Sequence, residues 1–379
     1  MVLSLTFHEK CLVLYLTFHE KTVKVSLTFR EIVIFAIKIE CIMKNVYYPR
    51  LIDKYLLEWK NERKHKPLLL RGARQVGKSS AIRQLGKTFK YFVEVNFERD
   101  KEIASVFKGN LKPQEIASRL SVFYGLPIVP GETLLFLDEI QTCPEALHSL
   151  WFFYEDYTDL HVVAAGSLLE FALKKMTSFG VGRVRSLFMY PMSFDEFLVA
   201  MGNEGWVELK QKASPASPVF EALHGKLVEC FRDYLMVGGM PESVANWVET
   251  RDYLKCQQVQ DDIMLAYEDD FSKYEEKADP ILLRQTLRSV ALQVGCKFVY
   301  SNVQGNCRGE KVKGALELLK DAGLIRPVVH TAANGIPLGA EINDKFIKYI
   351  FLDSGLLLRL LGMENAGGAS EMSKLILVG

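Results

Sequence analysis

The 379-residue sequence has no apolar run approaching the 18 residues of a membrane-spanning helix, and its early apolar runs at 11–16 and 32–37 are far too short. It has no C-x-x-C pair, and its seven cysteines are odd in number. These absences argue against a membrane span, a disulfide framework and a structural zinc site, and they favour a reducing, cytoplasmic setting.

Net charge is also nearly absent, because 47 Lys+Arg against 46 Asp+Glu leave +1. Such a balance gives no whole-chain field that would attract nucleic acid or an anionic membrane. Any binding of this kind therefore needs a local patch, and we expect no membrane partner.

The first 42 residues contain no Gly, Pro or Asn, but they repeat themselves with a period of eleven: Leu-Thr-Phe-His-Glu-Lys at 5–10 and 16–21, and Leu-Thr-Phe-Arg-Glu at 27–31. Apolar residues alternate within each repeat, which is typical of strands, yet the usual turn residues are missing. We interpret residues 1–42 as upstream repeat DNA read in frame, with translation beginning at Met43. A genuine edge-strand extension is the alternative.

A glycine-rich segment with the spacing G-x-x-x-x-G-K-[ST] follows the apolar stretch at 67–71. Glycines at both ends let the backbone curl so that its amides point at a phosphate, and the positive end of the following helix adds to the attraction. The motif predicts that Lys78 reaches the β- and γ-phosphates and that the Ser79 hydroxyl ligates Mg²⁺. The predicted nucleotide-binding residues are Gly72, Ala73, Arg74, Gln75, Val76, Gly77, Lys78, Ser79 and Ser80.

A second apolar segment, at 133–137, ends in two carboxylates, Asp138 and Glu139. Asp138 is predicted to hold Mg²⁺, and Glu139 to polarise the attacking water; neighbours on a strand point to opposite sides, so the two can take different roles. A third strand ends at Ser167, whose hydroxyl is predicted to sense the γ-phosphate or the water. A helix N-cap for 168–174 is the alternative.

Apolar segments alternate with helical segments of 10–15 residues through the region 43–200. This alternation predicts an α/β fold, a parallel sheet with helices on both faces. The predicted strands are 67–71, 91–97, 133–139, 160–167 and 185–190.

These motifs make residues 43–362 resemble the bacterial and archaeal AAA-type ATPases, in which a P-loop domain precedes a helical segment and a winged-helix region. The resemblance implies the P-loop NTPase class with an additional strand and a catalytic glutamate. By this resemblance the lysine, the serine and the two carboxylates named above carry ATP hydrolysis, and Ser167 occupies the sensor position. The matching segments are 72–80, 134–141, 165–167, 182–197 and 238–242.

The resemblance also directs attention to two arginines. Arg183 is predicted to act on a phosphate, within this chain or from a neighbouring subunit, and Arg185 is the alternative residue. The other interpretation is that both arginines are solvated side chains near the start of a strand. Asp195 and Glu196 are interpreted as an acidic first turn that suits the helix dipole.

Residues 201–278 are interpreted as a helical linker domain that is broken at its glycines and prolines. Its last helix, at 254–271, closes with Glu268, Asp269 and Asp270. We interpret this acidic end as a solvated face rather than a metal site.

Residues 279–362 show two helices followed by alternating segments around an Asn334-Gly335 turn, which predicts a winged-helix-like domain. Ten Lys+Arg against six Asp+Glu between 280 and 353 leave a local +4. This charge permits a DNA partner, and a protein partner is the alternative. The candidate contacts are Arg308, Lys311 and Lys313.

The sequence ends soon after an apolar run at 375–378, where proteins of the resembling type often continue into a nuclease-like domain. We interpret residues 363–379 as a truncated tail and expect no nuclease function from this chain.

The leading hypothesis is an ATPase that hydrolyses ATP with Mg²⁺ and moves the winged-helix region. No guanine-selecting Asn-Lys-x-Asp stretch is present, which favours ATP. The alternative is a nucleotide-gated DNA- or protein-binding switch with little or no turnover. A small-molecule kinase is disfavoured because no lid or acceptor pocket is evident, and an oligomer is compatible with the motifs.

Overall fold

The computed structural model describes residues 2–8, 11–18, 21–28, 46–109, 112–167, 169–175, 182–272, 278–305 and 307–363. The chain divides into two compact units, Met1–Tyr47 and Tyr48–Gly379. The boundaries predicted within the second unit, after residues 200, 278 and 362, stay predictions. Most of the predicted tail lies outside the described residues.

The first unit contains a three-stranded antiparallel sheet in the order β1-β2-β3. Each strand covers one of the alternating repeats, and the register places Leu5 opposite Leu14 and Leu14 opposite Val25. The strands lie where the apolar residues alternate, and the residues between the strands lie outside the described ones. The interpretation of residues 1–42 as upstream repeat DNA stays a prediction. The strand bounds are Val2–His8, Cys11–Phe18 and Lys21–Thr28.

The second unit is built on a five-stranded parallel sheet in the order β5-β6-β7-β4-β8. This confirms the predicted α/β class and its five strands. Strand β7 lies between the strand that leads into the phosphate loop and the strand that ends in Asp138, as the sequence predicted. The bounds are β4 Leu68–Arg71, β5 Tyr91–Asn96, β6 Thr133–Asp138, β7 His161–Ala165 and β8 Arg185–Phe188.

Helices cover both faces of this sheet, because alternate strand residues are buried on opposite sides. Leu69 and Leu135 belong to one core cluster with residues of α3 and α4. On the other face Phe92 stacks on Phe136, and α2 approaches so closely that a Cβ on Gly86 would lie 2.6 Å from the Phe92 ring. The helices are α1 Leu51–Lys60, α2 Lys78–Gly86, α3 Pro113–Tyr124, α4 Pro144–Asp156 and α5 Leu169–Lys175.

A helical segment follows, and its first three helices end at the predicted glycine and proline breaks, whereas the last two end at Thr250 and Phe271. Phe197, Val237 and Trp247 from three of its helices share one buried cluster, which joins the segment into a packed layer. The helices are α6 Phe194–Ala200, α7 Glu204–Lys212, α8 Glu221–Val237, α9 Pro241–Thr250 and α10 Tyr253–Phe271.

The last described part has the helix–helix–hairpin order that the sequence predicted. Its two strands pair antiparallel, with a register shift between Asn343 and Ile347. The elements are α11 Pro280–Leu292, α12 Gly309–Asp321, β9 Ile325–Thr331, β10 Ile342–Phe351 and α13 Ser354–Leu360. Short 3-10 turns cover Lys101–Phe107, Ile140–Thr142, Tyr300–Asn302 and Leu338–Glu341.

Among the described residues, the structure contains no helix that is both long enough and apolar enough to cross a membrane.

Two stacked histidines lie in the core at the amino end of the sheet. The rings of His65 and His161 are 3.8 Å apart and lie against Trp59, and the two residues are 5% and 7% exposed. Burial, with a smaller contribution from the neighbouring imidazole, lowers the pKa of His65 to about 4, and burial also lowers the pKa of His161. Both imidazoles are therefore neutral in the folded protein near pH 7.

We expect the free energy of unfolding to fall as the pH drops from about 6.5 towards 4. The unfolded chain takes up the proton on His65 at its ordinary pKa, whereas the folded chain resists it, so acid favours unfolding by about 2 kcal/mol at this residue. Urea titrations at pH 7.5, 5.5 and 4.5 would measure the loss. His65→Phe, which keeps a stacking ring, should lose less stability over this range; an equal loss would contradict the assignment.

Candidate functional site

The phosphate loop runs from the end of β4 to the start of α2, and its first glycine is required by close packing. Gly72 has φ +141, and a Cβ there would lie 2.1 Å from the carbonyl oxygen of Met189. Gly77, just before α2, has φ +95. Both values lie in the region that favours glycine, so the G-x-x-x-x-G spacing follows from the curl of the backbone.

Lys78 is folded back along the inside of this loop. Its ammonium group donates to the carbonyl oxygens of Gly72 at 2.9 Å and Ala73 at 2.7 Å, and the residue is 8% exposed. Burial lowers the pKa of Lys78 to about 8, against the opposing effect of the nearby Glu139 and Asp138 charges. The lysine thus holds a positive charge at the mouth of the loop, where a phosphate would lie.

The other predicted loop residues differ in exposure. Val76 is buried, whereas Gln75 and Ser80 are exposed. Gln75 adopts a left-handed conformation with φ +62, which is uncommon for a residue with a side chain. Their backbone positions, rather than their side chains, shape the loop.

Asp138 and Ser79 face each other at the carboxyl edge of the sheet. The Ser79 hydroxyl donates to the Asp138 carboxylate at 3.0 Å, and the Asn96 amide lies 3.4 Å from the same oxygen. Burial and then the charge of Glu139 raise the pKa of Asp138. A divalent cation would offset both effects, and carboxylate and hydroxyl oxygens are ligands that Mg²⁺ prefers, so the donor set fits magnesium.

Glu139 leaves the strand in a turn. Strand β6 ends at Asp138, and Glu139 has φ +52 and ψ +40. The two carboxylates are separated by this turn, so the predicted cause of their separation, strand alternation, is wrong. The Glu139 carboxylate accepts from the Gln141 amide at 2.7 Å and lies 3.4 Å from the Ser167 hydroxyl. The structure therefore brings Ser167 next to Glu139.

A buried arginine, Arg50, donates a hydrogen bond to the backbone of the phosphate loop. The sequence did not predict this contact. Arg50 forms an ion pair with Glu196 at 2.9 Å and donates to the carbonyl oxygens of Val76 at 2.9 Å and Tyr190 at 2.7 Å. Glu196 does begin a helix, in a capping box with Ser193, but it also carries this pair. Since Arg50 lies 146 residues before its partner, no local pattern reveals the contact.

The acidic end of α10 contacts the phosphate loop. Both carboxylate oxygens of Asp270 accept from Arg74 at 2.8 Å, and the Tyr267 hydroxyl donates to the Arg74 carbonyl oxygen at 2.6 Å. The Asp270 side chain is only 6% exposed. The interpretation of this end as a solvated face is therefore wrong for Asp270, because the carboxylate is buried against an arginine.

The C-terminal part reaches the loop at a second point. A Cβ on Gly323, just after α12, would lie 3.2 Å from the Cβ of Ala73. A cleft of about 760 Å³ lies alongside, lined by Ser167 and by residues of β8, α8 and β10. The cleft therefore lies between the start of the loop and the C-terminal part.

Arg183 and Arg185 lie away from this site. Arg183 pairs with Glu155 at 2.6 Å, and Arg185 pairs with Glu62 at 2.9 Å. Register places Arg185 beside Leu68, at the amino end of the sheet, whereas the phosphate loop begins at the carboxyl end. The structure does not bring either arginine to the loop of its own chain. Action of either arginine from a neighbouring subunit stays a prediction.

The proposed cationic contacts of the C-terminal part are accessible. Arg308, Lys311 and Lys313 are all exposed around the start of α12. Within the part of the chain that the structure describes, no group of three or more His, Cys, Asp or Glu side chains is arranged to hold a metal ion. These three side chains place exposed positive charge around the start of α12.

Comparison with protein families matches two segments. Residues 64–198 match a family model described as "AAA domain", and residues 228–367 match one described as "Domain of unknown function (DUF8612)". Comparison with curated proteins gives no match.

Among solved structures, a Walker-type ATPase of Pyrococcus abyssi is similar at 15% identity, with 83% of this chain and 96% of that chain covered and a TM-score of 0.52. The Aeropyrum pernix Orc1 protein in complex with DNA is similar at 11% identity, covering 86% and 96%. The Drosophila ORC bound to DNA is similar at 10%, covering 83% and 95%. Their TM-scores of 0.34 and 0.31 are too low to bear on this chain.

The first of these structures supports the fold, and the family match covers the phosphate loop, the acidic strand and Ser167. Residues 64–198, which hold the phosphate loop, the acidic strand and Ser167, therefore match an AAA domain.

Proposed function

We propose that this protein hydrolyses ATP with Mg²⁺ and uses the cycle to move its helical and winged-helix-like parts. The observation that carries the proposal is the convergence of Lys78, Asp138 and Glu139 on one edge of the sheet. Ser79, which follows Lys78, donates to the Asp138 carboxylate at 3.0 Å, and Glu139 is the next residue after Asp138. This pairing of a cation with two separate carboxylates suits a triphosphate and its attacking water.

Each group has a distinct task in the proposed reaction. The loop amides and Lys78 bind the phosphates and stabilise the charge that develops on them. Asp138 and Ser79 would hold Mg²⁺, which when bound neutralises charge between the β- and γ-phosphates. Glu139 accepts a hydrogen bond from the attacking water and takes up its proton, and Ser167 lies beside the same carboxylate, in the sensor position.

The coupling to the C-terminal part rests on the Arg74–Asp270 pair. This pair joins the phosphate loop to the last turn of α10, and the adjoining cleft of about 760 Å³ leaves space for the two parts to move. A nucleotide that draws Arg74 towards its phosphates competes with Asp270 for the same guanidinium. ATP binding would thereby release the end of α10.

The moving part is proposed to bind a DNA or protein partner through residues 280–353. DNA is supported by the local +4 charge and by the exposed Arg308, Lys311 and Lys313. Anisotropy of a labelled DNA duplex at 50 and 200 mM salt would test this, because phosphate contacts weaken steeply with salt. Salt-independent or absent binding would favour a protein partner.

A cytoplasmic location is proposed as well. Five cysteines are free among the described residues, which suits a reducing compartment. The oligomeric state matters for Arg183, since that side chain could act only on the phosphate of a neighbouring subunit.

Glu139→Gln should lower the rate of Mg²⁺-dependent phosphate release by about 100-fold or more, because an amide cannot take the proton of the attacking water. Binding of ATP should persist. The measurement is steady-state phosphate release, with Glu145→Gln, an exposed acid in the next helix, as the matched control. If the wild-type protein releases no more phosphate than Glu139→Gln, the nucleotide-gated switch is the better description.

Asp270→Asn should tighten ATP binding several-fold, because it frees the Arg74 guanidinium to face the phosphates. It should also remove any ATP-induced change in proteolysis of the C-terminal part. Calorimetry and limited proteolysis measure these effects. Asp261→Asn is the matched control. Asp261 lies on the same helix as Asp270 and pairs with a different arginine, Arg359, at 2.6 Å. Unchanged or weaker ATP binding in Asp270→Asn would contradict the coupling.

A further inference from the structure

The 3-10 turn after Glu139 carries a glutamine that touches the carboxylate. The side-chain nitrogen of Gln141 donates to Oε2 of Glu139 at 2.7 Å, whereas the Ser167 hydroxyl lies 3.4 Å from the same oxygen. Gln141 thus makes the shorter of the two contacts. Among the described residues, no hydrogen bond to the other oxygen, Oε1, is found. One carboxylate oxygen is therefore held by the protein, and the other is available to accept a hydrogen bond from water.

The chemistry of the two groups fixes the orientation of the amide. An ionised carboxylate only accepts hydrogen bonds, so the NH₂ group of Gln141 must face Glu139 and the amide oxygen must face away. That oxygen points at residue 166, where a Cβ would lie 1.9 Å from it. Glycine at 166 therefore makes room for the amide in this orientation.

The orientation has a cost for the folded protein. The Gln141 amide oxygen is buried and has no hydrogen-bond partner among the described atoms. Buried polar atoms are nearly always paired, and an unpaired one destabilises the fold. A side chain kept in this arrangement despite the cost serves something other than stability.

We propose that Gln141 is a positioning residue that aims the Glu139 carboxylate at the attacking water, with Gly166 providing its space. The inference rests on the proposed ATP hydrolysis. Glu139 follows directly on the metal-binding strand in a left-handed turn, so its carboxylate needs a fixed partner to hold one orientation. The amide supplies that partner from two residues further along the chain.

Gln141→Met keeps the side-chain length but removes the donor. It should lower kcat by about 10-fold to 100-fold, as loss of an orienting partner typically does, while the ATP dissociation constant stays within about twofold. Its Tm should stay equal or rise, because the unpaired oxygen is gone. A purely structural role would instead lower Tm. Gln114→Ala, which removes a 2.7 Å amide bond to the Asp156 carbonyl, is the matched control with unchanged kcat.

Gly166→Ala tests the same contact without altering the glutamine. The added methyl group should displace the amide and lower kcat as Gln141→Met does, whereas in a Gln141→Ala background it should cost almost nothing. Gly225→Ala, where a Cβ would meet nothing within 4 Å, is the control.

The inference is overturned if Gln141→Met hydrolyses ATP at the wild-type rate or faster, or if the Gly166→Ala effect persists in the Gln141→Ala background. In both cases an active wild type with an inactive Glu139→Gln would leave the proposed function standing. A wild-type protein without turnover would overturn both.

Discussion

The curl of the phosphate loop is the constraint on which the rest of the structure depends. A Cβ on Gly72 would collide with the Met189 carbonyl, so the loop must pass tightly against the segment that follows β8. The loop is contacted by Arg50 from before the first helix, by Asp270 from α10 and by Gly323 after α12. Distant parts of the chain therefore all contact the phosphate loop, and a change in the conformation of the loop would alter the contacts of each of them.

Local features of the site could be predicted from the sequence. The G-x-x-x-x-G-K-S spacing, the apolar run ending in Asp138 and the alternation of strands and helices depend on residues close together in the chain. The helix breaks at glycines and the hairpin around Asn334 have the same local origin. These predictions hold because short-range backbone geometry decides them.

The long-range partners could not be predicted in this way. Arg50 meets Glu196 across 146 positions and Arg74 meets Asp270 across 196, so neither spacing carries a periodic signal. Asp270 was misjudged because an acidic helix end is usually solvated, and only the packing of α10 on the loop reveals its burial. Arg183 pairs with Glu155 away from the loop of its own chain, so its action on a phosphate from a neighbouring subunit stays a prediction.

Several features of the site, namely buried ionisable side chains and a left-handed backbone, would be unfavourable in a region with only a structural role. Lys78 is buried with a lowered pKa, Asp138 is buried with a raised pKa, and Glu139 has a left-handed backbone. Each destabilises the folded protein on its own, and together they suit the nucleotide and the divalent cation that we propose as ligands.

Calorimetric titration of the purified protein with ATP, with and without Mg²⁺, tests this account most directly. The account predicts Mg²⁺-dependent binding that is at least about tenfold weaker in Lys78→Ala and unchanged in Lys87→Ala, which removes a cation just after the far end of the same helix. Nucleotide binding that is indifferent to Mg²⁺ and to the lysine at 78 would contradict it.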